Sequence, residues 1–224
     1  MLSTLKKYPE FREKYFELLK YRLSTVNIEF EGIDDDLSSA EQTLSIFQQL
    51  EALSFMLDSI EDEKKLTIFD QINLLKDLVC RVTSGEVTGF RKTNVVITGS
   101  ALVRSQPKNI RNDLIYLYND YIYKNELCSS DKERFSLEAW FHIKFLHIHP
   151  FEDGNGRTAR ILLAYNLIKN GLAPCVITNQ VKREYCDLIE NSDYQGMADF
   201  FENLSKKETE VIEVVRNNVL GNCI

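Results

Sequence analysis

A chain of 224 residues with 44% hydrophobic content can bury one substantial core, and it reads as a single domain. Its formal net charge of −7 lacks the basic excess expected of a nucleic-acid binder or a membrane-surface protein, and no apolar run approaches transmembrane length. Five scattered cysteines, Cys80, Cys128, Cys175, Cys186 and Cys223, show no C-x-x-C spacing and argue against a disulfide scaffold; with no apolar signal core after Met1, the expectation is a cytoplasmic protein.

From Pro9 to about Ile28, Phe11, Tyr15, Leu18, Leu19 and Leu23 recur at three- and four-residue steps, which predicts a helix with proline in its first turn. After Gly32 and the acidic Asp34-Asp35-Asp36, Ser38 with Glu41 makes a capping box for a second helix to about Ile60. Thr67 with Asp70 caps a third, which ends near Ser84-Gly85. Val95-Val96-Ile97 and Leu102-Val103, separated by Thr98-Gly99-Ser100, predict one short hairpin over residues 93–104, the sole strand signal in the chain. Helical patterns resume over Asn109–Asn125 and Ser136–His149, then over Arg157–Lys169, Gln180–Glu190, Asp193–Leu204 and Lys206–Asn218. No repeat or Pro/Gly-rich linker marks a domain boundary.

One stretch, His149-Pro150-Phe151-Glu152-Asp153-Gly154-Asn155-Gly156-Arg157-Thr158-Ala159-Arg160, is unlike the rest. Pro150 excludes His149 from ordinary helix, so the arriving helix should stop there and present an imidazole at its end. Gly154, Asn155 and Gly156 let the backbone turn tightly and approach a ligand against the N-terminus of the next helix, an anion site by geometry. Arg157 and Arg160, three apart, share a helix face and can grip successive phosphates. Asp153 offers the hard oxygen that Mg²⁺ prefers, and Mg²⁺ accompanies phosphates. If the substrate is a hydroxyl, His149 is the natural general base, a role that contributes typically ~10²–10⁴ in rate. Phe151 reads as a structural anchor of the loop. The other histidines, His142 and His147, do not converge with it as metal ligands would and read as satisfied, partly buried residues. Tyr185 and Tyr194 stand between two readings, packing on a base or packing in the core.

The stretch resembles the signature of the Fic domain family, His-x-Phe-x-Asp/Glu-Gly-Asn-Gly-Arg-x-x-Arg, matched at every specified position from His149 to Arg160. Similar character extends from about Asn27 to about Leu204. The resemblance implies a mainly α, single-domain Fic-type helical bundle: an N-terminal helix with an inhibitory segment in 1–35, a core over 36–204 that includes the hairpin as a flap positioning the target, and a C-terminal helix over 205–224. The implied activity is transfer of AMP from ATP, with Mg²⁺, to a Ser, Thr or Tyr hydroxyl of a target protein. His149 would be the base, Gly154, Asn155, Gly156, Arg157 and Arg160 the phosphate grip, Asp153 the metal ligand and Tyr185 a nucleotide contact.

Fic proteins often carry an inhibitory motif, Ser/Thr-x-x-x-Glu-Gly/Asn, whose glutamate pairs with the second signature arginine. Here Asn27 to Glu31-Gly32 matches its end but has Asn27 in place of Ser or Thr, while the register from Thr25 to Glu29 has the threonine but is followed by Phe30. The glycine favours Glu31, with Asn27 one turn earlier able to hydrogen-bond nearby. Removal of AMP from a target, another nucleotide donor such as UTP, and a non-catalytic nucleotide-binding or toxin-neutralising partner remain alternatives. The expected partners are ATP and a protein, with neither nucleic acid nor membrane, and a two-fold homodimer is the commonest self-association for such a chain.

Overall fold

The structure is a computed structural model in which residues 2–31, 39–58, 66–97 and 100–221 are described. Among them the regular elements are helices: α1 (Leu2–Lys7), α2 (Pro9–Glu31), α3 (Ser39–Asp58), α4 (Ile68–Val82), α5 (Ile110–Leu127), α6 (Asp131–Ile148), α7 (Asn155–Lys169), α8 (Lys182–Glu190) and α9 (Tyr194–Leu220), with short 3₁₀ turns at Pro107–Asn109 and Asn179–Val181. No described helix is long and apolar enough to cross a membrane.

The centre of the fold is α6 and α7. Phe135, Leu137, Phe141, Ile143, Phe145 and Ile148 on α6, and Ile161, Leu162, Leu163, Leu167 and Ile168 on α7, are buried around most of each helix's circumference, the mark of a core helix rather than an amphipathic one. Around this pair α5 and α9 pack on α6, α4 packs on α7, and α2 lies across α3 and α9. α2 is fixed by a polar contact as well as by Phe11, Tyr15 and Leu19: Glu208 of α9, almost fully buried, accepts from Arg22 Nη1 at 2.8 Å through both oxygens and from the Tyr15 hydroxyl at 3.0 Å.

Local chemistry sets the helix starts. Thr67 and Asp70 form the expected reciprocal capping box of α4. A second capping box, Ser130 with Glu133, starts α6 five residues before the position expected from hydrophobic spacing, because Asp131 to Arg134 are surface residues that carry no apolar signal. The expected box of Ser38 and Glu41 lies outside the described residues. A break expected between 204 and 206 is absent: α9 runs unbroken, and Ser205 turns its hydroxyl to the Ala173 carbonyl at 2.7 Å.

The hairpin flap is not seen among the described residues: 94–97 and 100–105 have no regular secondary structure and no strand pairing. Val96 and Val103, whose β-propensity suggested strands, are 93% and 95% exposed, so there is no buried face to reward a ladder, and an isolated two-stranded pair is marginal in water. Arginines hold the segment instead: Arg91 Nη1 donates to the Thr93 carbonyl at 2.7 Å, and Arg104 bonds the Ser100 hydroxyl at 2.7 Å and the Leu146 carbonyl at 3.3 Å.

Candidate active site

α6 ends at Ile148 because Pro150 follows, and His149 caps it in the left-handed region at φ 51°, ψ 64°, its amide donating to the Phe145 carbonyl. A non-glycine residue there is strained and persists because its surroundings hold it. From this point Phe151 turns inward, fully buried with its ring 5.8 Å from that of Phe90. Asn155 closes the loop on itself: its Oδ1 accepts from the Phe151 amide at 3.0 Å and its Nδ2 donates to the Phe151 carbonyl at 2.9 Å. The Asn155 side chain is therefore consumed in shaping the loop, and what it can offer a ligand is its backbone amide.

Gly154, at φ 78°, is the residue on which α7 begins, and no side chain caps that N-terminus. The first-turn amides of α7 thus have no side-chain acceptor at the mouth of a cavity of about 400 Å³. His149, Asp153, Gly154, Asn155, Gly156 and Arg160 of the stretch line this cavity, joined by Ile97 and Arg104 and by Lys182, Tyr185 and Cys186 from α8. A wider cavity of about 500 Å³ between α4, α5, α6 and α7 has no part of the stretch in its wall. Several of its polar groups are already bonded: Asn166 to Glu138, Lys169 to Tyr165, and Asn125 and Asn170 to Arg134.

The two signature arginines are placed differently. Arg160 is buried in the cavity wall, its Nε donating to Asn27 Oδ1 at 2.6 Å, while Asn27 Nδ2 donates to Gln49 at 3.3 Å. Three helices, α2, α3 and α7, are joined by that chain. Arg157 is folded back, with Nη1 on the Val82 carbonyl at 2.9 Å and Nη2 on Asp153 at 2.6 Å. Asp153 is therefore ion-paired, but its side chain is 63% exposed at the cavity rim. The backbone of α2 reaches Glu31, one turn past Asn27; the Glu31 side chain, and so its expected pairing with Arg160, lies outside the described residues.

Burial, then the charges of Arg104 and Arg91, pulls the His149 imidazole down to about 4, so the ring is neutral at cellular pH. A neutral imidazole keeps one ring nitrogen unprotonated and able to accept a proton. An anion in the cavity would raise its basicity. His142, fully buried and pulled to about 3 by burial and Arg160, has its Nε2 in hydrogen-bond contact with the Tyr185 hydroxyl, 2.7 Å away. Tyr185 is 2% exposed, so it is a wall whose polar tip is spent on His142. His147 lies 3.2 Å from the Ile189 carbonyl. Neither histidine is available to a metal, and no group of three or more His, Cys, Asp or Glu capable of holding one occurs among the described residues.

Arg104 escaped the sequence reading as a site residue, being remote in sequence from His149; Arg91 stands in Gly89-Phe90-Arg91, which resembles the start of the family's target-positioning flap, but its reach to His149 was not legible.

Residues 65–167, which contain the whole stretch, match the Fic/DOC family model. That region of the chain is a Fic/DOC domain by this match. Among curated relatives, the Fic domain and its flanks are 26% identical over 167 residues to "Protein adenylyltransferase Fic" of Nematostella vectensis, covering 73% of this chain and 37% of that protein. Likewise they are 28% identical over 163 residues to the protein of the same name from Drosophila willistoni, covering 71% and 32%. The chain thus spans about a third of the length of these relatives. Its fold is that of solved Fic proteins. A Fic domain containing signaling protein from Bacteroides thetaiotaomicron VPI-5482 superposes with TM-score 0.76 at 19% identity, covering 100% of this chain and 96% of that one. Fic-1 from C. elegans gives TM-score 0.63 at 21% identity, covering 96% and 66%.

Proposed function

We propose that this Fic protein transfers AMP from ATP to a Ser, Thr or Tyr hydroxyl of a target protein, and that Glu31 restrains it. The observation that carries the reading is the pairing of a neutral imidazole, His149, with an uncapped helix N-terminus and a buried arginine, Arg160, around one cavity. A site that merely bound a nucleotide would need the amides and Arg160 but no base. The relatives named as adenylyltransferases support the same choice of chemistry.

In this reading the α7 amides and Arg160 hold the phosphates, and His149 takes the proton of the target hydroxyl as its oxygen attacks the α-phosphorus. The bond from that phosphorus to the bridging oxygen breaks and pyrophosphate leaves. A base of this kind supplies typically ~10²–10⁴ in rate, so positioning and charge neutralisation carry the remainder. Asp153 suits Mg²⁺, which is bound through one or two carboxylates together with substrate phosphates; the ion would neutralise phosphate charge, and Asp153 would share itself between the ion and Arg157. Ile97 and Arg104, both in the cavity wall, would lie beside the approaching target hydroxyl.

Asn27 brings α2 directly onto Arg160. Glu31, one turn on, is the carboxylate of α2 able to compete with a terminal phosphate for that guanidinium. The experiment is incubation of Glu31→Gly protein with each of the four labelled nucleotides, alone and with a lysate. Labelling by ATP that exceeds the parent protein's and disappears on adding His149→Ala is expected. Equal labelling with and without Glu31 would sink the restraint, labelling that survives loss of His149 would sink the base, and preference for another nucleotide would reassign the donor.

A further inference from the structure

Arg91 is 3% exposed, and its guanidinium donates to backbone carbonyls. Its Nε donates to His149 at 2.7 Å and its Nη2 to Ile148 at 3.3 Å, two of the orphan acceptors at the end of α6. Its Nη1 donates to Thr93 at 2.7 Å and its Nη2 also to Ser105, the residues that bracket 94–97 and 100–104. Its own amide donates to the Pro150 carbonyl at 3.0 Å. One planar fork therefore ties both ends of the cavity's outer wall to the backbone on either side of the strained His149.

We infer that Arg91 is a positioning residue: it holds the left-handed backbone at His149, and with it the imidazole, in fixed register with the segment that faces it across the cavity. The left-handed conformation costs about 1–3 kcal/mol at a non-glycine residue, so something must hold it. A guanidinium with five donors in a fixed plane can satisfy four carbonyls at once, whereas a lysine ammonium is a point charge on a flexible stem. The same arrangement would transmit a target's docking on the segment to the base. Other charged or titratable groups also surround His149: Arg104 on the segment, Glu152 and Asp153 on the loop, Arg160 on α7, and Lys182, Tyr185 and Cys186 on α8.

The inference rests on His149 acting as the base, so one arm of its test needs no activity. Ring resonances of the full chain are titrated in the parent, Arg91→Lys and Arg91→Gln, with His149 identified by its loss in His149→Ala. In Arg91→Gln the His149 midpoint should rise by about one unit while His142 stays in place. In the Glu31→Gly background, Arg91→Lys should fold, keep its His149 midpoint within about half a unit, and lose roughly tenfold to hundredfold in kcat. Its KM for ATP should change by less than about twofold, because the α7 N-terminus and Arg160 are untouched. An unmoved His149 midpoint in a folded Arg91→Gln protein overturns the inference, as does an equal movement of His142. A parallel loss of kcat and nucleotide binding in Arg91→Lys overturns it too. If the parent transfers no AMP, the proposed activity fails and the ring titration alone decides the role of Arg91.

Discussion

Gly154→Ala tests whether the anion-binding turn is seated directly on the core. Gly154 sits at φ 78°, where a Cβ costs roughly 1–2 kcal/mol in backbone conformation alone. The added carbon would also lie 2.8 Å from Thr83 Cγ2, 3.2 Å from Val79 Cγ2 and 3.3 Å from Val82 Cγ2. The valines are fully buried, and Thr83 cannot rotate its methyl away cheaply: its hydroxyl donates to the Val79 carbonyl at 2.7 Å and accepts from the Val87 amide at 3.1 Å. Overpacking of such a site costs about 1–3 kcal/mol, so the expected destabilisation is about 2–5 kcal/mol, or roughly 5–20 °C in Tm for a chain of this size. Gly85→Ala supplies the control. Gly85 has φ 83° but nothing within 4 Å of an added Cβ, so it should show the conformational cost alone. Urea denaturation of both variants measures the difference. If Gly154→Ala costs no more than Gly85→Ala, α4 does not brace the turn.

Three further outcomes follow from buried polar contacts. Tyr185→Phe keeps the ring but leaves His142 Nε2 without the hydroxyl it bonds, and denaturant titration should show a loss of about 1–3 kcal/mol. Glu208→Gln removes the charge that pairs with Arg22; because Arg22 is 30% exposed, the loss should fall at or below the lower end of the ~3–5 kcal/mol typical of broken buried pairs, and urea denaturation would measure it. Glu138, enclosed by Tyr121 and Asn166, is pushed by burial from 4.5 up to about 7. The folded state therefore binds its proton more tightly than the unfolded chain, and the resulting stability, present below about pH 4.5, is lost as pH rises through about 7. The stability of the parent relative to Glu138→Gln should thus decline across that window by up to about 3 kcal/mol. A flat difference between the two pH profiles would show that Glu138 ionises freely. Using the difference cancels the opposite contribution of His142 and His149, whose lowered values favour folding as pH rises.

Much of the fold was legible because its causes are local. Hydrophobic spacing and the Thr67–Asp70 box placed α4, and Pro150 after an apolar helix placed the end of α6 at His149. The misses also have local causes. Ser130–Glu133 was hidden because a solvent-facing first turn leaves no hydrophobic signal, and the continuity of α9 through Ser205 was hidden because the partner of its hydroxyl, the Ala173 carbonyl, is 32 residues away. Valine's β-propensity misled at 94–104, since propensity is realised only when a face is buried, and Val96 and Val103 face outward.

For the site, the sequence by itself determined the chemistry available: an imidazole at a helix end, a glycine turn into a new helix, two arginines and a carboxylate within twelve residues. Covalent spacing and backbone sterics settle such features wherever the rest of the chain goes. Only the tertiary structure decided what each group is free to do. It turned Arg157 onto α4, set Arg160 against Asn27 from the far end of α2, spent the Tyr185 hydroxyl on His142, and brought Arg91 beneath His149. Each of these contacts joins residues dozens of positions apart, and buried polar groups must find such partners or bear the cost of desolvation.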